Sequence, residues 1–154
     1  MSTQNNVPVT LAPEALTQEF NGKPVKASVF GYQQPEKLEK GKGIVRLCRS
    51  DIVYSTVQVL QDGGENNMHA HPAQDGIWIV LKGRVKFYGK GDVVLAELGP
   101  MQGIHIPRGF FYWFESSSPE MLEILQVEAI DKSVKNERLN ATPQKDFETE
   151  IQRF

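Results

Sequence analysis

Between Gly43 and about Ile130 the chain runs as roughly eight short apolar segments, spaced about ten residues apart and separated by Gly and Pro. No stretch with a helical period lies between them. Ile44–Cys48 and Ile52–Leu60 are followed by Ile77–Leu81, Arg84–Tyr88 and Val93–Ala96, then by Gly103–Ile106, Phe111–Phe114 and Met121–Val127. β-branched and aromatic residues dominate, as a pleated and packed surface requires. Strands in this succession build an antiparallel sandwich or barrel, because parallel βαβ units need a helix between strands. Ile77–Leu81 is apolar at every position and is expected to be a central strand covered on both faces.

The flanks read differently. Residues 1–42 form an expected N-terminal arm with a short helix: Pro13 at a first helical position, Glu14 close behind, and Gly22 beyond Phe20. Residues 131–154 form an expected C-terminal linker and helix, with Phe147 and Ile151 on one face. The 14 aromatic residues (8 Phe, 4 Tyr, 2 Trp) of this 154-residue chain suffice for one core. A net charge of -2 gives no basic footprint for nucleic acid. No apolar run approaches the roughly 20 residues of a membrane helix, and the first residues lack a secretory signal pattern. With one cysteine, Cys48, no internal disulfide forms. The expectation is a soluble, cytoplasmic protein without nucleic-acid or membrane partners.

The chain holds three histidines, His69, His71 and His105. In a strand, His69 and His71 share a face about 6.5 Å apart along the backbone, so both can converge on one ion or one ligand. His105 sits between Ile104 and Ile106, and alternation sends it to the opposite, outer face.

The surroundings of the pair carry a resemblance. Gly63, five residues, His69-Ala70-His71, and then Ile77 to Gly83 resemble the first motif of the cupin superfamily. Pro107-Arg108-Gly109-Phe110-Phe111-Tyr112 resembles its second motif, with Tyr112 where the family has its last His. The family's Glu, five positions after the second His, falls on Gly76, and its Asn falls on Ser116. The resemblance implies an all-β double-stranded β-helix, a jelly-roll barrel with a central pocket and short N- and C-terminal helices. It further implies a bound divalent transition metal (Fe, Mn, Ni or Zn) and a homodimer.

Only His69 and His71 match the family's four ligands, so a third ligand has to come from Asp75 or from Tyr112. Asp75 would need a local bulge, since alternation from Trp78 turns it to the other face. Tyr112 is the candidate catalytic residue, and Trp78 and Phe114 the candidate aromatic wall. Gln58 and Gln126, polar residues in apolar strands, face either the pocket or solvent. Arg108, near the expected mouth, meets an anionic substrate or pairs with an acid such as Glu115. Two functions follow. One is a divalent-metal enzyme acting on a small organic substrate. The other is a metal-free binding protein for a sugar or aromatic metabolite, or a metal-independent isomerase.

Overall fold

The computed structural model describes residues 8–36, 38, 41–61, 65–143 and 149–153. The chain forms two compact units, Met1–Pro35 and Glu36–Phe154.

In the first unit a single 3-10 turn, Pro13–Leu16, leads directly into strands β1 (Thr17–Phe20) and β2 (Lys23–Lys26), which pair antiparallel. The expected helix therefore stops after one turn. Asn21 and Gly22 both take positive φ, 50° and 73°, which is the backbone of a tight hairpin turn of the primed kind. That turn pairs Thr17–Phe20 with the following strand, and the pairing overrides the helical start at Pro13.

The second unit holds β3 (Lys42–Arg49), β4 (Val53–Leu60), β5 (His69–Ala70), β6 (Gln74–Lys82), β7 (Val85–Tyr88), β8 (Val94–Leu98), β9 (Gly103–Ile106), β10 (Trp113–Ser116), β11 (Leu122–Ile130), β12 (Leu139–Asn140) and β13 (Thr149–Arg153). The larger sheet runs in the order β13-β3-β4-β11-β6-β9, and the smaller in the order β10-β7-β8. β5 pairs with β12. This is the all-β sandwich that the strand spacing implies, and the only helices among the described residues are 3-10 turns.

The expected C-terminal helix is not formed where the residues are described. Thr149–Arg153 lies parallel to β3, in register from Lys42 to Arg46, while residues 144–148, including Phe147, lie outside the described part. The physical reason is the open edge of β3, whose N–H and C=O groups gain partners from an added strand. The turn Asp62-Gly63-Gly64, which contains the first glycine of the motif, also lies outside the described residues. No described helix is long and apolar enough to cross a membrane.

The core lies between the two sheets. Leu60, Trp78, Val80, Leu122 and Ile124 of the large sheet meet Val85, Phe87 and Phe114 of the small one, all 2% exposed or less. Trp78 and Phe87 sit on Phe114 at ring separations of 5.0 and 5.1 Å. β6 is paired on both edges, yet only one of its faces is closed: Gly76, Trp78 and Val80 are buried and Ile77 is 47% exposed. This corrects the two-sided covering expected for Ile77–Leu81. The small sheet covers only the inner face of β6, so its apolar outer residues stay at the surface.

β6 and β9 approach closely at Gly103, where an added Cβ would lie 2.4 Å from the carbonyl oxygen of Trp78. Gly103→Ala is therefore expected to force the two strands apart and to destabilise the fold by roughly 1–3 kcal/mol, the usual cost of overpacking. Urea denaturation checks this, and an unchanged midpoint would refute the close approach.

Candidate functional site

Across the large sheet, neighbouring strands place their inward residues in rows. Ile44 pairs with Gln58, Gln58 with Ile124, and Ile124 with Val80. Thr56, Gln126 and Trp78 form the next row, and Tyr54, Glu128 and Gly76 the one after. The inner face is thus apolar toward Leu60 and Leu122 and polar toward Gln58, Gln126 and Glu128. A cavity of about 220 Å³ opens over the polar end.

β5 places the imidazoles. The backbone N–H of His69 donates to Tyr112 O and that of Tyr112 to His69 O, both at 3.0 Å, an isolated bridge that holds the two segments face to face. The His69 ring stands 4.7 Å from the Tyr112 ring and 5.0 Å from the His71 ring. Its Nδ1 lies 2.7 Å from Asn67 O, so the ring's other nitrogen is the one left for a ligand. Asn67 is itself fixed, donating from Nδ2 to Thr142 O (2.8 Å) and Asn140 Oδ1 (3.0 Å). Arg138 Nη2 donates to Asn67 Oδ1 at 2.5 Å.

Gln58 and Gln126 both turn inward. Gln58 Nε2 donates to Gln126 Oε1 at 3.0 Å, Thr56 Oγ1 donates to the same oxygen at 3.3 Å, and Gln126 Nε2 donates to Glu128 Oε1. Gln58 Oε1 is buried and has no hydrogen-bond partner among the described residues. A buried acceptor of this kind is costly unless a ligand or water donates to it.

Trp78 and Tyr112 line the cavity. Phe114 does not: it is fully buried in the core, behind Trp78 and Phe87. Asp75 is also displaced from its expected role as a metal ligand. Its carboxylate is on the outer face, where it accepts from the backbone N–H and Nε of Arg108, each at 3.0 Å, and lies 3.7 Å from His105. No bulge interrupts β6 between Asp75 and Trp78, so alternation decides its face. The same alternation leaves His105 exposed on the outside. Arg108 pairs with Asp75 and Asp131 and not with Glu115, which accepts from Tyr88.

The cations of the cavity come from elsewhere. Lys42, at the start of β3, and Arg138, just before β12, both line it, together with Asn66 and Asn67. None of the four was legible as a site residue: Lys42 and Arg138 lie in segments that read as arm and linker, and Asn66 and Asn67 fall in the unassigned spacer between Gly63 and His69. Glu128 was missed as well, although its place two residues after Gln126 in a strand gives the two side chains one face.

Burial sets the charges. It pushes His69 down to about 3 and His71 down to about 4, with Arg138 adding to both shifts. Burial, then Arg138, lowers Lys42 to about 8, and burial alone raises Glu128 to about 7. Tyr112 is pushed up by burial and then by the charge of Glu128, so it acts as a neutral phenol. At neutral pH the imidazoles are uncharged, Lys42 is mostly protonated and Arg138 is a cation.

This donor set is poor for a divalent ion. Among the described residues no three His, Cys, Asp or Glu side chains come together to hold one. Two neutral imidazoles remain, with Lys42 and Arg138 in the same cavity wall and no carboxylate among its described residues. Resident sites of Zn or Fe take three or more protein ligands, commonly with a carboxylate, and nearby cations oppose a further positive charge. The described residues do not fit a resident metal.

No protein-family model matches the sequence, and no curated protein does. Solved structures do. An uncharacterised conserved protein with a double-stranded β-helix domain from Klebsiella pneumoniae is 16% identical at a TM-score of 0.55, over 87% of this chain and 97% of that one. The cupin domain of Cnp3 from Schizosaccharomyces pombe is 16% identical at a TM-score of 0.60, over 73% and 81%. The polyketide cyclase RemF from Streptomyces resistomycificus is 22% identical at a TM-score of 0.51, over 63% and 66%. These likenesses define the class of fold, an all-β double-stranded β-helix. The chain has the fold of the cupins, and that fold carries enzymes and proteins of unknown function alike.

The buried ionisable groups make stability depend on pH in a definite direction. His69 and His71 are neutral in the fold and take up protons on unfolding below their ordinary value of 6.5, so their contribution is lost as pH falls. Glu128 works oppositely: it is protonated in the fold and ionises on unfolding above its ordinary 4.5, so its contribution is lost as pH rises toward about 7. Between about pH 4.5 and 6.5 two protons are taken up and one released, and acid destabilises. Urea midpoints across this range should therefore fall with acid, and fall about twice as steeply in Glu128→Gln. An equal slope in the variant would show that Glu128 is not buried as a neutral acid.

Proposed function

We propose that the cavity is a metal-independent binding site for a small organic anion, a carboxylate attached to an apolar or aromatic body. The observation that carries this reading is the pairing of Lys42 and Arg138 in a cavity wall whose described residues include no carboxylate. Lys42 is buried and Arg138 partly buried, so a carboxylate placed between them gains from two positive charges where water competes little. Arg138 is held by Asn67 and Asn140, which orients its guanidinium before a ligand arrives. Trp78 and Ile44 offer an apolar wall for the body of the ligand. His69, His71 and Tyr112, all neutral at pH 7, offer hydrogen bonds without charge. Such a cavity, apolar on one side with a few convergent polar groups, is the usual form of a small-molecule site.

This reading favours the metal-free alternative over the metal enzyme that the resemblance implies. It also limits the chemistry that Tyr112 can perform, since a phenol raised by burial is a donor and not a base at neutral pH.

Isothermal titration with phenylacetate and its neutral analogue phenylacetamide tests the proposal. The acid should bind and the amide should bind at least about tenfold more weakly, the value of one charge-assisted hydrogen bond. Lys42→Met and Arg138→Gln should each weaken the acid by about the same factor. Equal affinities for acid and amide would refute the anion site. So would stoichiometric Mn, Fe, Ni or Zn in the purified protein that disappears in the His69→Ala/His71→Ala variant.

A further inference from the structure

Among the described residues, the buried carboxylate at the site belongs to β11, on the strand beside the position where the cupin pattern places Glu. Glu128 is the register partner of Gly76 across the β11–β6 ladder, and in an antiparallel pair such partners project from the same face. It is 6% exposed, and Gln126 donates to its Oε1. Gly76, Glu128, His71, Trp78 and Tyr112 together line a second, smaller cavity of about 10 Å³. Three of these residues, His71, Trp78 and Tyr112, also line the larger cavity, so the two share a wall.

The size decides what enters. A volume of about 10 Å³ admits about one water-sized group, and no ring or carboxylate. The chemistry of the wall decides which group. The oxygens of Glu128 and Tyr112 can each accept a hydrogen bond, and Gln58 Oε1 in the neighbouring cavity is an acceptor still lacking a donor among the described residues. A single-heavy-atom donor is a hydroxyl or an amine, and Lys42 and Arg138 in the adjoining cavity disfavour a charged amine, which leaves the hydroxyl.

We infer that Gly76 and Glu128 form a hydroxyl subsite, so that the ligand is a hydroxycarboxylic acid bound with its carboxylate toward Lys42 and Arg138 and its hydroxyl toward Glu128. The inference rests on the anion reading of the larger cavity and adds the second end of the ligand. Glycine at 76 is what leaves the space: a Cβ there meets only Trp78 Nε1, at 3.9 Å, so a methyl group fits without displacing its neighbours. The burial that keeps Glu128 poised near neutrality also makes a donated hydrogen bond to it valuable, because little water competes.

The test uses matched pairs that differ in one hydroxyl: mandelate with phenylacetate, 4-hydroxyphenylacetate with phenylacetate, and 3-hydroxybutyrate with butyrate, titrated calorimetrically into the whole protein. A preference of about tenfold for the hydroxy acid in at least one pair is expected, as one well-formed buried hydrogen bond gives. Gly76→Ala, which puts a methyl group in the subsite, should bring that ratio to about one, and Glu128→Gln should reduce it. Thermal melts of both variants verify that they fold. Binding of the acids without preference in any pair would overturn the hydroxyl subsite and leave the anion site standing. A preference that survives in both variants would also overturn the subsite. If no acid of any pair binds, the anion site fails and the hydroxyl subsite with it.

Discussion

Two backbone hydrogen bonds, exchanged between His69 and Tyr112 at 3.0 Å each, are the constraint on which the site depends. β5 is only two residues long, and its partner β12 is no longer. Short strands of this kind do not hold a side chain in place on their own pairing. The reciprocal bridge brings the segment carrying both imidazoles against the one carrying the phenol, and the neighbouring side chains follow from it. Asn66 extends the attachment by accepting from the backbone N–H of Phe114 at 2.8 Å. Asn67 secures the other side through Thr142 and Asn140. The site is therefore attached to the core through Phe114, although Phe114 never reaches the cavity.

Burial of this polar group has an electrostatic consequence. Two imidazoles, two cations and one acid lie within or beside one cavity, and desolvation is the largest cause of every resolved shift among the five. Each is pushed toward its uncharged form. The histidines complete that change, and Glu128 is brought near the middle of its titration. Arg138 keeps its charge and Lys42 keeps most of its own. What survives is a positive field on one side of the cavity and a half-protonated acid on the other, and a ligand that answers both needs two different ends.

Much of the fold was legible because strand alternation is strict. The same rule that put Trp78 and Gly76 inside sent Asp75 and His105 outside, and it exposed the weakness of a metal set that needed Asp75. Gln58 and Gln126 were noticeable because a polar residue in an apolar strand has few reasons to be there. The ends of the chain misled, since Pro13 and the spacing of Phe147 and Ile151 are local signals, whereas the hairpin at Asn21-Gly22 and the open edge of β3 are not visible in a helical window. Lys42, Asn67 and Arg138 were illegible for a related reason: they meet only through contacts more than 20 residues apart in sequence, and each is ordinary in its own neighbourhood.

Gly76 and Glu128 show why a motif read along one strand cannot by itself report the chemistry of a two-sheet cavity. Along β6, glycine stands at position 76, where the cupin pattern has a carboxylate. Across the ladder, a carboxylate stands at the register partner. The inner face of a sheet is a two-dimensional array, so a function assigned to a point on it can be met from either adjoining strand, provided the side chain has the reach. The exchange is not neutral, however. A carboxylate arriving from β11 is anchored by Gln126 and desolvated against Tyr112 and Trp78, in a cavity wall that the cations Lys42 and Arg138 do not share. An acid held in that way is shielded from the charge that would keep it ionised, and it becomes a proton-bearing group. The same residue type, placed one strand over, serves as a partner for a hydroxyl and not as a ligand for a cation.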